Sequence, residues 1–291
     1  MAERHGGEVI SCDSTAVYRS FDIGTDKIPI EQRRGIPHHL IDVADPAEHY
    51  SAARYAKEAA AVIRQIQARG RWPIVVGGTG FYYRALTRGL FPGPGRNEEL
   101  RRRLDLLADS KGVELLHRMV QRVDPASGQR ILPRDRVRLI RALEVYFLTG
   151  RPLTEHFAAT VSPLEGREVF AVALNPPMEE IAWRVTARVD EQFARGVVHE
   201  AQELLARGVP EDAHPFGGLV YRQVLEYLHG VRDEAGTRAL IVRENLRYAR
   251  RQLIWFRKEP NLVWFQGAGE QPHTRAAVEQ AFAARAQGTL R

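Results

Sequence analysis

The chain has a single cysteine, Cys12, among its 291 residues. One thiol excludes an internal disulfide and any zinc module built on cysteines. Long apolar runs are also missing, since no segment approaches the roughly 18 apolar residues of a membrane span. The start of the chain shows neither the charged nor the apolar region of a signal peptide. These absences predict a cytoplasmic protein with no membrane partner.

Lysine is scarce too, because nearly all of the 42 basic residues are arginines. A coding bias toward arginine explains this ratio, so the arrangement of the arginines is more informative than their number. The formal charge of +6 is modest and favours a polyanionic partner. Three arginine clusters in separate segments favour phosphate contacts: Arg101–Arg103; Arg134, Arg136, Arg138 and Arg141; and Arg247, Arg250 and Arg251.

Hydrophobic periodicity divides the chain into three parts. Residues 1–96 alternate short strands with helices, which predicts a parallel sheet with flanking helices. Residues 97–157 have apolar positions at helical spacing, which predicts an all-helical insertion. Strand character returns at residues 169–174, so residues 158–291 are predicted to complete the α/β core and to contain C-terminal basic helices. Within that part, residues 181–207 have the pattern of one long amphipathic helix.

Two predicted strands are each followed by a short polar sequence motif. Val9–Cys12 runs into Asp13, and Pro73–Val76 runs into a Gly-Gly-Thr-Gly word that contains Thr79. Loops at the carboxyl ends of parallel strands line the ligand crevice of such sheets. We therefore expect Asp13 and Thr79 to face a common site. The glycines around Thr79 leave bare backbone, which is expected to let a nucleotide or a diphosphate approach closely.

A phosphate loop of the form G-x-x-x-x-G-K-[ST] is absent, because no Gly-Lys dipeptide occurs in the sequence. Residues Ala2–Gly7 have the pattern of a last helical turn with a glycine C-cap. This favours a chain that has lost a first strand, its phosphate loop and most of the following helix. Two explanations stay open, a start that was placed too late and a naturally truncated paralogue. The active-site motifs further along the chain are intact, which favours a start that was placed too late.

The strand-end words, together with IGTDK at 23–27, GIPHHL at 35–40 and RLIRALEV at 138–145, closely resemble the bacterial tRNA dimethylallyltransferases. The resemblance implies an α/β fold with a P-loop-NTPase-like parallel sheet core, here without its first strand and phosphate loop, and an all-helical insertion. It implies transfer of a dimethylallyl group from dimethylallyl diphosphate to the N6 amine of adenosine 37, in tRNAs that read codons beginning with U. The implied partner is the tRNA anticodon stem-loop, and we expect a monomer.

The resemblance also implies a role for each word. Asp13 matches the base that takes a proton from the attacking amine, and Thr79 joins it as a catalytic residue. Contacts with tRNA are implied for a larger set: Asp13, Ser14, Thr15, Ala16, Thr79, Arg101, Val137, Arg138, Leu139, Ile140 and Arg141. Two alternatives stay open. In the first, Asp13 has no catalytic role and only caps a helix that begins near Ser14–Val17. In the second, Arg101 is one of three surface arginines on a solvated charged helix and does not contact tRNA.

Arg184 and Arg188 lie four residues apart on one predicted helix face, and the resemblance implies that both bind the diphosphate. The alternative is that Arg184 pairs with Glu180, one turn earlier. Mg²⁺ is the expected cofactor, because a diphosphate leaving group needs cations. The sequence shows no ligands for it. His38 and His39 lack the cysteine or acidic partners of a metal site.

Three other functions stay open. One is prenyl transfer to free AMP, which the helical insertion and the arginine clusters disfavour. Another is a catalytically impaired tRNA-binding paralogue, since the phosphate loop is absent. A small-molecule kinase of the same core is disfavoured because no lid or loop motif of such kinases accompanies the Asp13 word. The chain departs from the family motifs at Val220, at Ile254 and at Asn245-Leu246, which stand where the family usually has Thr-Arg. The loss of that one arginine is expected to weaken a phosphate contact without abolishing recognition.

Overall fold

The structure is a computed structural model that describes residues 1–288. Contacts between residues divide it into two compact units. An α/β unit contains Met1–Leu86 and the chain from Gly166 onwards, and a helical unit contains Thr87–Glu165. The helical unit extends beyond the predicted insertion at 97–157 on both sides. Its two ends are joined by a hydrogen bond of 2.7 Å from the Ser162 hydroxyl to the Thr87 carbonyl.

The helices of the described residues follow in chain order: α1 Ala2–His5, α2 Ala52–Ala68, α3 Gly80–Arg88, α4 Glu98–Lys111, α5 Val113–Val123, α6 Pro125–Arg130, α7 Arg136–Thr149, α8 Leu153–Phe157, α9 Met178–Ala194, α10 Val197–Ala206, α11 Tyr221–Leu228, α12 Glu234–Phe256 and α13 Pro272–Gly288. Short 3₁₀ helices occupy Ile30–Gln32 and His214–Gly217.

Three parallel strands form the sheet that carries the candidate site. They are β1 (Gly7–Ser11), β2 (His38–His39) and β3 (Trp72–Val76), in the spatial order β2-β1-β3. The central strand β1 is buried on both faces, as is usual for parallel sheets covered by helices. Helix α2 packs against β1 and β3, and the Ser51 hydroxyl caps it by accepting the Arg54 N–H at 3.2 Å.

A second parallel pair lies later in the chain. It consists of β4 (Ala171–Asn175) and β5 (Leu262–Gln266), with Ala171 opposite Leu262. Between these strands the chain forms α9 to α12, and α9 and α12 pack against each other. The predicted single helix over 181–207 is wrong, because α9 ends at Ala194 and α10 begins at Val197. Gly196 interrupts them with a left-handed φ of 90°, a conformation that periodicity does not report.

The helical unit has its own apolar core. Leucines of four helices meet there, and all are buried: Leu104, Leu116, Leu139, Leu143 and Leu153. Asp124 ties two of the short helices together from a buried position. It accepts the Ser127 N–H at 3.0 Å at the start of α6 and the Thr154 N–H at 3.0 Å within α8. The unit is helical in all its regular elements, as the periodicity predicts.

Candidate active site

Asp13 lies two residues after the end of β1 and is half-buried. Its Oδ1 accepts three hydrogen bonds, from the Thr15 N–H at 2.7 Å, the Thr15 hydroxyl at 2.7 Å and the Ala16 N–H at 3.2 Å. No group that the structure describes hydrogen-bonds its other oxygen, Oδ2. Residues 14–17 form a hydrogen-bonded turn and not a helix. Asp13 Oδ1 accepts the Thr15 and Ala16 N–H groups as a cap would, so the capping alternative holds for a turn. One oxygen fixes the turn, and the other is available for chemistry.

Thr79 meets the Asp13 turn at the end of the neighbouring strand. Its N–H donates to the Cys12 carbonyl at 3.1 Å, and its Oγ1 accepts the Ser14 N–H at 3.0 Å. The two strand ends therefore lie together, as the order of a parallel sheet requires, and that prediction is confirmed. The catalytic roles of Asp13 and Thr79 stay predictions. Cys12 is buried, and burial raises the pKa of its thiol to about 11, so it does not supply a thiolate here.

The glycines around Thr79 are required for close packing of this loop against the rest of the protein. A Cβ on Gly77 would lie 2.2 Å from the Cys12 carbonyl oxygen. One on Gly78 would lie 2.2 Å from the Gln252 amide nitrogen, and one on Gly80 would lie 2.4 Å from the Trp255 indole. The expectation that these glycines admit a ligand was incomplete. Their missing side chains let the loop pack tightly between β1 and α12.

Helix α12 contributes residues that sequence reasoning placed only in a basic helix. Burial raises the pKa of the Tyr248 phenol, the Asp13 carboxylate adds to this rise, and hydrogen bonds with Gln252 and Thr79 oppose it. Tyr248 therefore stands beside both predicted catalytic residues. A pocket of about 120 Å³ opens next to the Thr79 loop, and its lining is mostly aromatic and glycine: Gly78, Gly80, Phe81, Tyr248, Arg251, Gln252, Trp255 and Phe256.

The two arginines of α9 are engaged in ion pairs. Arg184 hydrogen-bonds the Glu180 carboxylate at 3.0 and 2.6 Å, the pairing considered as its alternative role, and also contacts Glu270. Arg188 lies 3.2 Å from the Asp26 carboxylate. Burial raises the pKa of Asp26, although the charge of Arg188 acts against that rise. All of these pairs are partly exposed, and the diphosphate role of both arginines stays a prediction.

In the helical unit, Arg101 and Arg141 bind a carboxylate. The Glu144 side chain is fully buried and receives Arg101 Nε and Nη2, both at 2.8 Å, and Arg141 Nη1 at 2.5 Å. The Asn97 N–H donates a further hydrogen bond at 2.8 Å. Burial acts to raise the pKa of Glu144, but the hydrogen bonds from Arg101, Asn97 and Arg141 outweigh it and lower this pKa to about 2. This Glu144 cluster is a structural brace.

The predicted tRNA segment Val137–Arg141 is divided by burial. Leu139 and Ile140 are 0% and 4% exposed and belong to the core, so their side chains offer no surface to RNA. Val137 is 72% exposed, which its place in the apolar periodicity did not indicate. The Arg138 side chain is also exposed and pairs with Asp135 at 3.0 Å. A tRNA contact of this segment stays a prediction, and Val137 and Arg138 are its accessible side chains.

Two further motifs that carry the resemblance, GIPHHL and IGTDK, contain residues that form ion pairs within the fold. His39 pairs with the buried Glu8 of β1 at 2.7 Å, which ties β2 to the central strand. Lys27 is buried, and its ammonium group lies 2.8 Å from Asp22 and 2.6 Å from Asp42. The departure at Val220 has a conformational cost, because its φ is 72°, a region that favours glycine.

Two negative findings hold for the part of the chain that the structure describes. It contains no group of three or more histidine, cysteine, aspartate or glutamate side chains that could hold a metal ion. Within the same residues, no helix combines the length and apolar character needed to cross a bilayer.

Parallel strands with a carboxylate and a threonine at their carboxyl ends, interrupted by an all-helical unit, define an α/β enzyme of P-loop-like class. Solved structures agree. The tRNA isopentenylpyrophosphate transferase of Bacillus halodurans is 35% identical with a TM-score of 0.69, covering 97% of this chain and 89% of that chain. A eukaryotic dimethylallyltransferase, solved acting on tRNA, is 25% identical with a TM-score of 0.78 and covers 98% and 75%. The predicted fold class is confirmed.

Sequence comparison then specifies the family. The IPP transferase model matches residues 16–259, and the chain belongs to this family of prenyltransferases. A tRNA dimethylallyltransferase of Solibacter usitatus is 43% identical over 275 residues, which are 94% of this chain and 89% of the relative. The tRNA dimethylallyltransferase of Thermomicrobium roseum is 45% identical over 271 residues, which are 91% and 80%.

Proposed function

We propose that the protein transfers the dimethylallyl group of dimethylallyl diphosphate to the N6 amine of adenosine 37, in tRNAs that read codons beginning with U. The product is N6-isopentenyladenosine. The observation that carries the proposal is the Asp13 carboxylate, which has one oxygen fixed by three hydrogen bonds and the other free at a strand end. The tRNA dimethylallyltransferases among the relatives support the choice of substrates.

The chemistry requires a base because an aromatic amine is a poor nucleophile. N6 attacks C1 of the dimethylallyl group while the bond from C1 to the diphosphate oxygen breaks. The diphosphate leaves with that electron pair, and Asp13 Oδ2 takes a proton from N6. The adenine must leave the base stack to be reached. Ser14, Thr15 and Ala16, in the turn that holds Asp13, would line the pocket that receives it.

The leaving diphosphate needs positive charge, which Arg184 and Arg188 can supply. Their present partners are carboxylates in partly exposed pairs. Such pairs contribute about 0–1 kcal/mol, so an incoming diphosphate can replace them. We expect Mg²⁺ to arrive with the diphosphate, because this ion is usually bound through substrate phosphates and one or two carboxylates.

The tRNA would contact exposed arginines in each unit. In the α/β unit, the exposed cations on and just after α12 that have no ion pair with an acidic side chain among the described residues are Arg250, Arg251, Arg257 and Lys258. In the helical unit, Arg138 is the exposed arginine of the predicted segment. Such groups suit the phosphates of an anticodon stem-loop. We expect the protein to act as a cytoplasmic monomer.

The decisive experiment incubates the purified protein with unmodified tRNA and dimethylallyl diphosphate, followed by mass spectrometry of the tRNA nucleosides. We expect N6-isopentenyladenosine, and no product on the same tRNA with guanosine at position 37. Parallel incubation with AMP tests the alternative acceptor. Product on AMP alone would replace this proposal with AMP prenylation, and tight tRNA binding without any product would indicate a catalytically impaired paralogue.

A further inference from the structure

A small pocket lies between the Thr79 loop and helix α12. Its volume is about 120 Å³, and the glycines on either side of Thr79 line it. Thr79 itself contacts the Asp13 turn, because its Oγ1 accepts the Ser14 N–H at 3.0 Å. An apolar cavity of about 150 Å³ holds a benzene ring, so a space of this size suits one planar ring. The pocket therefore offers room for a single ring next to the predicted catalytic residues.

The aromatic side chains of this pocket differ in how far the protein already uses them. The guanidinium carbon of Arg84 lies 4.3 Å from the centre of the Trp255 ring, and that of Arg251 lies 5.8 Å from the centre of the Tyr248 ring. Phe81 is 55% exposed, and the described residues form no ring contact or cation–π contact with it. Single exposed apolar side chains are common. A free ring at an aromatic pocket is different, because it provides an open stacking surface.

The charge beside the pocket is positive. Arg251 lines the pocket, is exposed and has no ion pair with an acidic side chain among the described residues. Three more exposed cations of this kind, Arg250, Arg257 and Lys258, lie on the same face of α12 or directly after its end. The helical rise places Arg250 and Arg257 about 10 Å apart along the axis. A row of cations of this length suits the successive phosphates of a nucleic-acid chain.

The proposed reaction itself creates unstacked bases. When the target adenine leaves the stack, each of its neighbours loses a stacking partner on one side. Proteins bind the unstacked bases of single-stranded RNA on aromatic rings and hold the adjoining phosphates with arginine or lysine. Phe81 and Arg251 provide these two kinds of group, and both line a pocket beside the loop that contacts the Asp13 turn.

We propose that this pocket binds an unpaired nucleobase directly adjacent to the target adenosine, which stacks on Phe81 while Arg251 contacts its phosphate. The target adenine goes to the Asp13 turn, so two neighbouring nucleotides occupy two neighbouring sites. The choice of tRNA as the ligand rests on the proposed function. The stacking site rests on the exposed ring, the pocket and the cations of α12.

Binding of an anticodon stem-loop RNA, measured by fluorescence anisotropy without dimethylallyl diphosphate, tests the Phe81 contact. Phe81→Ala should raise the dissociation constant by about fivefold to a hundredfold, which is the range for a lost base–aromatic stack. Phe81→Tyr keeps the ring and should stay within about twofold of the unchanged protein. The matched control is Phe147→Ala, which removes a ring that is 50% exposed in the helical unit and should leave the affinity unchanged. Equal affinities of Phe81→Ala and the unchanged protein would overturn the proposal.

Abasic RNAs test whether the contact is with a neighbouring base. Two stem-loops are used, one without the base at position 36 and one without the base at position 38. The unchanged protein should bind one of them more weakly, by the same factor that Phe81→Ala costs on the intact RNA. On that abasic RNA, Phe81→Ala should have no further effect, while its full effect remains on the other. A full effect of Phe81→Ala on both abasic RNAs would overturn the proposal.

The salt dependence of binding separates the roles of the two residues. Arg251→Gln should weaken binding and reduce the slope of its salt dependence by roughly one unit, because one phosphate contact is lost. Phe81→Ala should leave that slope unchanged, because stacking releases no counterion. Equal slopes for Arg251→Gln and the unchanged protein would overturn the phosphate contact of Arg251.

A dimethylallyl group is also small and apolar, and steady-state kinetics distinguish it from a base. If Phe81→Ala raises the dimethylallyl diphosphate concentration needed for half-maximal rate and spares RNA affinity, the pocket holds the prenyl group and the proposal is overturned. Failure of the unchanged protein to prenylate tRNA would instead count against the proposed function alone. The binding measurements need no turnover, so they still decide whether a base stacks on Phe81.

Discussion

The carboxylates of Asp13 and Glu144 differ in how much of their hydrogen-bonding capacity is used within the protein. Asp13 is half-buried, and the three hydrogen bonds that it accepts from described residues fall on one oxygen. Glu144 is fully buried, and both of its oxygens are engaged by Arg101 and Arg141. The first carboxylate keeps bonding capacity for a substrate, whereas the second uses its capacity inside the protein.

This difference also separates arginines that sequence reasoning had grouped together. The Arg101 and Arg141 side chains are 20% and 29% exposed and serve the buried Glu144, while Arg138 is 74% exposed. The tRNA contacts predicted for Arg101, Arg138 and Arg141 stay predictions, and Arg138 has the most accessible side chain of the three. Counting the bonds that each side chain already makes distinguishes a brace from a binding group.

The largest expected effect is at Asp13. Asp13→Asn keeps an oxygen that can accept the hydrogen bonds from Thr15 and Ala16 but removes the basicity of the side chain. The single-turnover rate of prenyl transfer should fall by a factor on the order of 10² to 10⁴, with tRNA affinity near that of the unchanged protein. Asp212→Asn, at an exposed loop position, is the control. Equal rates for Asn and Asp at position 13 would remove Asp13 from the mechanism.

The second prediction is at Glu144, where the effect should be on stability. Glu144→Gln leaves two arginines without their shared counter-charge, and we expect the free energy of unfolding to fall by about 2–3 kcal/mol, somewhat less than for fully buried pairs because the arginines are partly exposed. Denaturant titration measures it. A change below about 0.5 kcal/mol would show that the Glu144 cluster does not stabilise the fold, which would contradict its contrast with Asp13.

The pH dependence of stability sharpens the same contrast. The pKa of Glu144 is lowered from 4.5 to about 2 in the folded protein. A lowered carboxyl pKa stabilises the fold above the unfolded value, and this contribution is lost as the pH falls from about 4.5 through about 2. Over that window, the melting temperature of Glu144→Gln should fall less steeply than that of the unchanged protein. Parallel curves would contradict the assignment.

The smallest effect separates Arg138 from Arg141. Arg138→Ala should weaken tRNA binding and reduce the slope of its salt dependence by roughly one unit or less, with unfolding changed by less than about 0.5 kcal/mol. Arg141→Ala should instead lower stability, because it removes a bond to Glu144 and one to the Pro94 carbonyl. Binding isotherms at several salt concentrations and melting curves check both. Identical behaviour of the two variants would erase the distinction.

Much of the fold could be predicted from sequence because its signals are local. Strands ending before Asp13 and Thr79, the helical character of 97–157 and the glycine that ends α1 are all present. The break at Gly196 escaped prediction, because apolar positions continue at helical spacing on both sides of it. The site was half predictable. Asp13 and Thr79 follow from strand order, whereas nothing local to Tyr248 indicates its place beside them.

The sequence by itself determined three features: the family motifs, the parallel order that brings two strand ends together, and the helical insertion. Each of them depends on residue types at short spacings. Only the tertiary structure decided which charges are free. Arg101 meets Glu144, and Gly78 meets Gln252, across long stretches of chain. Ion pairs and close contacts act over a few ångströms in space, so their partners become defined only when folding brings distant segments within reach.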